Sequence, residues 1–383
     1  MVNPHKIMQL AASVALMGKG YTKTNPIVGA VIVKDSKIIS TGYHSAFGKP
    51  HAEVDAIENC SEDVSGADLY VTLEPCSHYG KTPPCTKKII ESKIKRVFIG
   101  VVDPNPENAG KGVEELLKNN VEVYVGFLEE LCSSLVEDFA KFIYTKNPFY
   151  TVKIAQSIDG KIATKSNDSK WITNESSRAY VHYLRSISDA VLVGINTVLI
   201  DDPMLTVRLV PSDRDPFKIV LDPNLKIHEN LKLVKKSSHK LIIFTKEENF
   251  KLNKFKRLQE MGVRIFSSNV VDNLFDLKMI SKKLIDLNIL NVLVEGGSKV
   301  FGNFLKEGYA DKLNIFIAPK ILGEGISSLS GISFDSVADA IKLKNYELKH
   351  FKEDILITAS LTNYRQKVLD LTEKVRNRCL QGL

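Results

Sequence analysis

Apolar positions along this chain switch repeatedly between a helical and a strand period. Ile7, Leu10, Ala11 and Val14 recur at helical spacing behind Asn3-Pro4, a capping residue followed by one that tolerates the first turn. Val28–Val33 and Ile38–Gly42 are strand-length runs around the polar Lys34-Asp35-Ser36-Lys37, which predicts a hairpin. The pattern then predicts a helix through Ala52, Val54, Ala56 and Ile57, and a strand over Leu69–Leu73. A helix over Thr86–Ser92 and a strand over Arg96–Val102 come next. A helix over Gly112–Asn119, a strand over Val121–Val125 and one long amphipathic helix over Phe127–Tyr144 complete this stretch. Helices interleave with strands, so the sheet is expected to be covered on both faces, as an α/β/α sandwich.

Lys146-Asn147-Pro148 interrupts the pattern and reads as a linker. Beyond it, strands are predicted over Phe149–Ala155, Ala190–Gly194, Phe217–Leu221, Lys240–Phe244, Arg264–Ser267, Asn291–Val294, Lys312–Ala318 and Ile355–Leu361. Helices are predicted over Glu175–Ser186 and Ser298–Lys306. The basic stretch Lys251–Arg257 reads as a solvated helix face. In the tail, Val368, Leu371, Val375 and Cys379 fall at helical spacing, as in a surface or interface helix. No internal repeat appears. A length of 383 residues exceeds a typical single domain. Three segments are expected: residues 1–146, residues 147–364 and a helical tail over 365–383.

Composition excludes several classes. With 44% hydrophobic and 25% charged residues the chain is ordinary globular material. No apolar run approaches a membrane span, and the N-terminus lacks a basic segment ahead of an apolar core; a cytoplasmic protein with no membrane partner is expected. Five sparse cysteines suit reduced thiols. Net charge is +7 but uneven: residues 1–146 carry 16 Lys and Arg against 18 Asp and Glu, a net of −2. A first half that gripped a nucleic-acid backbone should be basic, so a small-molecule substrate is expected and nucleic acid is not.

The candidate chemistry begins at His51-Ala52-Glu53, Pro75-Cys76 and Cys85. One imidazole and two thiols supply three ligands to a tetrahedral zinc and leave its fourth corner to water. Glu53, two residues after the histidine, is placed to move protons without being a ligand. His-x-Glu with Pro-Cys and a further Cys is the layout of zinc deaminases. Those usually hold two residues between the cysteines, whereas here eight intervene, Ser77 to Pro84. A loop carried between two ligands passes close to the site and is expected to read the substrate.

The run Thr72-Leu73-Glu74-Pro75-Cys76-Ser77-His78-Tyr79-Gly80-Lys81-Thr82-Pro83-Pro84-Cys85 resembles the zinc segment of the bifunctional riboflavin-biosynthesis deaminase/reductase family. Asn25-Pro26, Val28-Gly29-Ala30 and Asp103-Pro104-Asn105-Pro106 match it too. The resemblance extends to about Leu361. In the second half it rests on Lys153, Ser157, Asp159-Gly160, Ser169-Lys170-Trp171-Ile172-Thr173, Thr197-Val198, Asp201-Asp202-Pro203, Leu205-Thr206, Arg208 and Glu295-Gly296-Gly297. It implies a cytidine-deaminase-like α/β/α sandwich followed by a dihydrofolate-reductase-like α/β domain that uses NADPH. It implies zinc on His51, Cys76 and Cys85, with Glu53 catalytic. Substrate contacts are implied for Asn25, His44, Lys81, Asp103 and Asn105 in the first half. Lys153, Ser169, Arg185, Leu205, Arg208 and Glu295 are their counterparts in the second. Cofactor contacts are implied for Gln156, Trp171, Thr197, Asp201 and Gly297, with Gln156 acting through its backbone. The proton donor of the reductive step stays open among Lys153, Asp159 and Glu295. Phosphorylated pyrimidines are the expected partners, and a homo-oligomer is expected. Read without the resemblance, Glu295-Gly296-Gly297 is equally a pyrophosphate cradle or a tight turn. A free-nucleoside deaminase and a structural zinc domain are the rival readings of the first half; a second half that only binds is a third.

Overall fold

The computed structural model describes residues 3–80 and 82–380. The chain separates into two compact units, one ending at Lys146 and rejoined from Asn363 onward, the other Asn147–Thr362.

The first unit is built on a five-stranded sheet, in the order Lys37–Tyr43, Gly29–Lys34, Asp68–Leu73, Arg96–Val101, Glu122–Val125. Its first two pairings are antiparallel and its last two parallel. The hairpin turns through Asp35 and Ser36, both at positive φ (48° and 62°), the two-residue geometry that matches strand twist. The parallel strands Asp68–Leu73 and Arg96–Val101 are buried along almost their whole length, as their near-continuous apolar runs require. Asn3 caps the helix Pro4–Ala15 by accepting the His5 N–H at 2.9 Å. The helix Ala52–Glu58 lies against the strand Lys37–Tyr43, held by Ser40 Oγ donating to the Ala56 carbonyl and the Tyr43 N–H donating to Asp55. The tail forms the helix Tyr364–Leu380, and its Val368 and Val375 enter the core of this unit.

The second unit holds a nine-stranded sheet. Its order is Arg264–Ser267, Leu241–Thr245, Phe217–Leu221, Ala190–Gly194, Asn291–Gly296, Phe149–Ser157, Lys312–Ala318, Asp354–Ser360, Lys344–Phe351. All pairings are parallel except the last two. Two apolar clusters flank the sheet, one around Tyr150, Phe244 and Phe304, the other around Val191, Val220 and Ile243.

Several elements go beyond the sequence pattern, the helices Lys232–Ser237 and Leu277–Asp286 among them, and three differences are informative. The stretch expected as one helix over Phe127–Tyr144 is two, Glu129–Leu135 and Glu137–Thr145. They break at Val136 (φ −112°, ψ 11°), a β-branched residue of weak helical preference. Ala190–Gly194 runs directly into a helix, Ile195–Asp201, that periodicity did not mark. Lys344–Phe351 is an edge strand whose Tyr346 and Leu348 are exposed, so it needs no apolar face and carries no apolar signature.

Gly42 sets how closely the helix bearing Glu53 approaches the sheet, since a Cβ there would lie 2.3 Å from the Ala56 nitrogen and 2.5 Å from the Ala52 carbonyl oxygen. Gly42→Ala is therefore expected to destabilise the first unit by about 1–3 kcal/mol through overpacking. It should also lower bound metal. Denaturant unfolding and metal content of the purified variant check both.

Candidate active sites

Three element boundaries build the site of the first unit. His51 is the extended residue (φ −74°, ψ 164°) that precedes the helix Ala52–Glu58. Cys76 follows the strand Asp68–Leu73, and Cys85 is the first residue of the helix Cys85–Glu91. His51 Nδ1 lies 3.5 Å from Cys76 Sγ and 3.3 Å from Cys85 Sγ, and the three ligand atoms fall within 4.8 Å of one another. Zinc bonds of ordinary length at tetrahedral angles put such atoms about 3.5–3.8 Å apart, so the donors fit the metal in number, kind and spacing. The Cys85 N–H donates to Cys76 Sγ at 3.4 Å, a hydrogen bond that orients the sulfur.

The charges are arranged for a cation. The Cys85 thiol, which hydrogen-bonds Cys76, holds the Cys76 thiol down at about 4. Cys85 is itself pushed up, first by Cys76 and then by burial, although a helix start ordinarily favours thiolate. The pair thus keeps a proton until a metal displaces it. His51 is raised chiefly by its hydrogen bond with Cys76. Glu53 is 3% exposed, and burial pushes its carboxyl up to about 7, where it can both take and give a proton near neutrality.

Around these groups stand the expected substrate residues. His44 is buried, its ring edge-on to His51 with centroids 5.2 Å apart. Its Nδ1 lies 3.0 Å from the Pro50 carbonyl and its Nε2 3.1 Å from Asn25 Nδ2. Burial lowers its pKa, so the neutral ring donates to Pro50 and accepts from Asn25. Asp103, 8% exposed and pushed up to about 6 by burial, accepts the Asn105 N–H at 2.8 Å. Lys81 lies outside the described residues.

Two residues that sequence reasoning passed over hold this loop. Glu74, 3% exposed, accepts the backbone N–H groups of Asp103, Gly110, Gly112 and Val113 at 2.9–3.2 Å. Asn108, fully buried, accepts from the Ser77 N–H and donates to Asp103 and to the Pro75 carbonyl. The signal for Glu74 was available: a carboxylate closing a buried strand needs donors, and the glycines at 110 and 112 mark where backbone comes close.

In the second unit, the carboxyl ends of Ala190–Gly194, Phe217–Leu221 and Asn291–Gly296 open onto a cleft of about 440 Å³. Ser169, Thr197, Asp201, Gly297 and Ser298 line it, and Ser169 Oγ donates to Asp201 at 3.1 Å. Gln156 and Trp171 are not among the lining residues. Trp171 is 63% exposed, stacked under Arg178 with the guanidinium 4.6 Å from the ring. Leu205 is 3% exposed within the cluster of Val198 and Val220, so any ligand contact from it runs through its backbone.

Glu295, Arg185 and Lys153 form one buried ion cluster. Arg185 donates from Nε and Nη2 to the two Glu295 oxygens at 2.5 and 2.8 Å, and from Nη1 to the Thr206 carbonyl. Lys153 Nζ lies 3.6 Å from Glu295. The fork of Arg185, an expected substrate contact, is thus engaged within the protein. The Arg208 side chain is exposed and donates to Thr206 Oγ1, while its N–H donates to His182 Nδ1. Burial would raise Glu295, but the cations of Arg185 and Lys153 pull it down to about 2. Burial lowers Lys153 in turn.

The two halves match two family models. Residues 1–101 match the cytidine and deoxycytidylate deaminase zinc-binding region, and residues 148–357 match the RibD C-terminal domain. The riboflavin biosynthesis protein RibD of Aquifex aeolicus is 47% identical over 350 residues, 91% of this chain and 96% of its own length. The chain belongs to the RibD family. RibD of Escherichia coli strain K12 is 35% identical, covering 91% of this chain and 97% of its own. A solved structure from Thermotoga maritima, a diaminohydroxyphosphoribosylaminopyrimidine deaminase/5-amino-6-(5-phosphoribosylamino)uracil reductase, superposes with a TM-score of 0.82 at 40% identity. It covers 93% of this chain and 98% of its own. RibD of Acinetobacter baumannii gives 0.80 at 34% identity, with the same coverages. As a RibD, the chain is a bifunctional deaminase and reductase of riboflavin biosynthesis, with a zinc-binding deaminase unit and a reductase unit. Among the described residues no helix is long and apolar enough to cross a membrane.

The ion cluster carries a stability signature. The Glu295 carboxyl sits below its usual 4.5 in the folded chain, so its contribution is fully present above pH 4.5 and is lost as pH falls toward 2. Glu295→Gln leaves two buried cations without their anion and is expected to cost about 3–5 kcal/mol. It should also flatten the acid limb of the stability profile. Denaturant unfolding of the two chains across that pH window measures both effects.

Proposed function

We propose that the deaminase unit hydrolytically deaminates 2,5-diamino-6-ribosylamino-4(3H)-pyrimidinone 5′-phosphate. The reductase unit then reduces the ribosyl side chain of the product with NADPH, giving 5-amino-6-ribitylamino-uracil 5′-phosphate. The observation that carries the first step is the meeting of His51 Nδ1 and two cysteine sulfurs within 4.8 Å beside a buried Glu53. His51, Cys76 and Cys85 would hold zinc, which when bound supplies a water acidified toward a pKa of about 7. Glu53 takes a proton from the attacking water. It returns protons to the ring nitrogen and the departing ammonia, a shuttle suited to a carboxyl held near neutrality. Asn25, His44, Lys81, Asp103 and Asn105 bind the base, ribose or phosphate of the substrate, Lys81 from the loop between the two cysteines. The neutral state of His44 fits a hydrogen-bonding rather than an ion-pairing role.

For the second step, Thr197, Asp201 and the backbone from Gly297 hold NADPH in the cleft, whose lining includes the start of the helix Ser298–Lys306. The bound dinucleotide supplies the hydride. Gln156 and Trp171 keep a weaker claim to cofactor contact, because the cleft lining does not include them. Lys153 and Glu295 face each other from neighbouring strands and, with Asp159, are the candidates to handle the proton of the reduction. Ser169, the Leu205 backbone and Arg208 contact the phosphorylated substrate. With Arg185 engaged by Glu295, Arg208 becomes the principal phosphate ligand of this unit.

The direct test is incubation of the chain with the diaminopyrimidine nucleotide, with and without NADPH. Ammonia release reports the first step, and loss of reduced-cofactor absorbance the second; deamination of cytidine in place of the nucleotide would overturn the substrate assignment. Glu53→Gln should retain zinc, lose deamination by about 10²-fold or more, and leave reduction of supplied intermediate intact. Equal loss of both activities would refute separate sites. Arg208→Ala should raise KM for the deaminated nucleotide while leaving that for NADPH near its original value, as steady-state kinetics with each ligand varied in turn would report.

A further inference from the structure

The C-terminal helix Tyr364–Leu380 follows the reductase in sequence yet folds into the deaminase unit. Thr372 is fully buried. Its hydroxyl accepts the Val102 N–H at 3.0 Å and donates to the Val368 carbonyl at 2.8 Å. Val102, also fully buried, is the residue just past the strand Arg96–Val101 and just before Asp103. One turn further along the helix, Val375 lies over Gly110, where a Cβ would come within 3.2 Å of its Cγ2. The helix thus touches both ends of the loop 102–110, whose first half bears Asp103 and Asn105. The same loop is also held by Glu74, through the N–H groups of Asp103 and Gly110, and by its own Asn108, which donates to Asp103. Two ion pairs away from the loop anchor the helix itself, Arg376 to Glu129 at 2.7 Å and Arg365 to Glu130 at 3.1 Å. Neither the helix nor the loop falls within residues 1–101 or 148–357, the regions that the two family models match.

We propose that the C-terminal helix is a positioning element of the deaminase: Thr372 and Val375 brace the loop 102–110 and thereby fix where Asp103 and Asn105 meet the substrate. The physical reason is local. A buried N–H deprived of its acceptor must find another, and the Val102 N–H can do so only by moving the peptide that leads into Asp103. The metal ligands lie on other elements, and the loop reaches them only through Asn108, which bonds Ser77 and the Pro75 carbonyl on either side of Cys76; movement at Val102 displaces Asp103 first, so the brace acts on substrate binding before zinc. The proposal rests on the reading that Asp103 and Asn105 contact the deamination substrate.

The experiment uses the full chain carrying Thr372→Val, which keeps the side-chain shape and removes the acceptor, with Thr372→Ser as the conservative rescue. Val375→Ala loosens the other end and serves if the first variant fails to fold. Thr372→Val and Val375→Ala are expected to raise KM for the diaminopyrimidine nucleotide by about fivefold to tenfold. Their kcat, zinc content and reduction of supplied deaminated nucleotide should stay at wild-type values, and Thr372→Ser should restore KM. Unchanged KM in both variants, or parallel loss of kcat and zinc, overturns the brace. Asn105→Ala in the same assay separates the two claims. If it raises KM and the helix variants do not, the brace alone falls. If it leaves KM unchanged, the loop does not touch substrate and both fall.

Discussion

Everything the deaminase unit does depends on bringing one imidazole and two thiols to a single point from three separate elements. The cost of doing so is the crowding of groups that dislike each other when no cation is present. The Cys85 thiol is pushed up by Cys76, and Glu53 is held near neutrality by burial. A divalent cation relieves this, since it turns a proton-sharing thiol pair and a nearby carboxyl into a matched charge set. The fold carries the expense through its surroundings. The strand Asp68–Leu73 is buried almost throughout, the helix Ala52–Glu58 is pressed onto the sheet at Gly42, and the Cys85 backbone donates to the sulfur of Cys76. Ligands set in so rigid a frame lose little freedom on binding metal.

Both sites obey one architectural rule. In the deaminase unit the ligands cluster where Asp68–Leu73 ends and two helices begin. In the reductase unit the cleft opens where Ala190–Gly194, Phe217–Leu221 and Asn291–Gly296 end. Parallel strands flanked by helices place strand ends and helix starts on the same edge of a sheet, so polar side chains and backbone N–H groups gather there. Two chemistries that share nothing else therefore occupy equivalent positions in two different sheets.

The cluster of His51, Cys76 and Cys85 was legible because its residue types are chemically narrow and each fell at a boundary that periodicity also marked. Most strands of both sheets were legible for the same kind of reason, since a strand buried on both faces must be apolar throughout. Asn108 was not, and Glu74 was legible only as a buried carboxylate in need of donors, although both shape the site as firmly as its ligands. Their function lies in accepting and donating hydrogen bonds to backbone across intervals of up to 39 residues, from Glu74 to Val113, and no local pattern encodes such a partner. The same holds for Thr372, which is an ordinary helical threonine until Val102 is found against it. Arg185 was legible as a residue but not in its partner: a guanidinium that suits phosphate suits a carboxylate equally, and Glu295, 110 residues away, pairs with it.

That pairing decides how the reductase unit can read its substrate. Glu295 carries one negative charge, while Arg185 and Lys153 carry two positive charges when protonated, and all three are largely withdrawn from water. A buried cluster with one cation in excess is unfavourable when alone, and burial already biases Lys153 toward giving up its proton. An anionic or proton-accepting ligand arriving at the edge of the sheet relieves that excess, whereas a neutral one does not. On the proposed reading this excess of cation favours an anionic substrate, and Arg208, on the exposed surface and bonded to Thr206 Oγ1, is the guanidinium left to receive a phosphate.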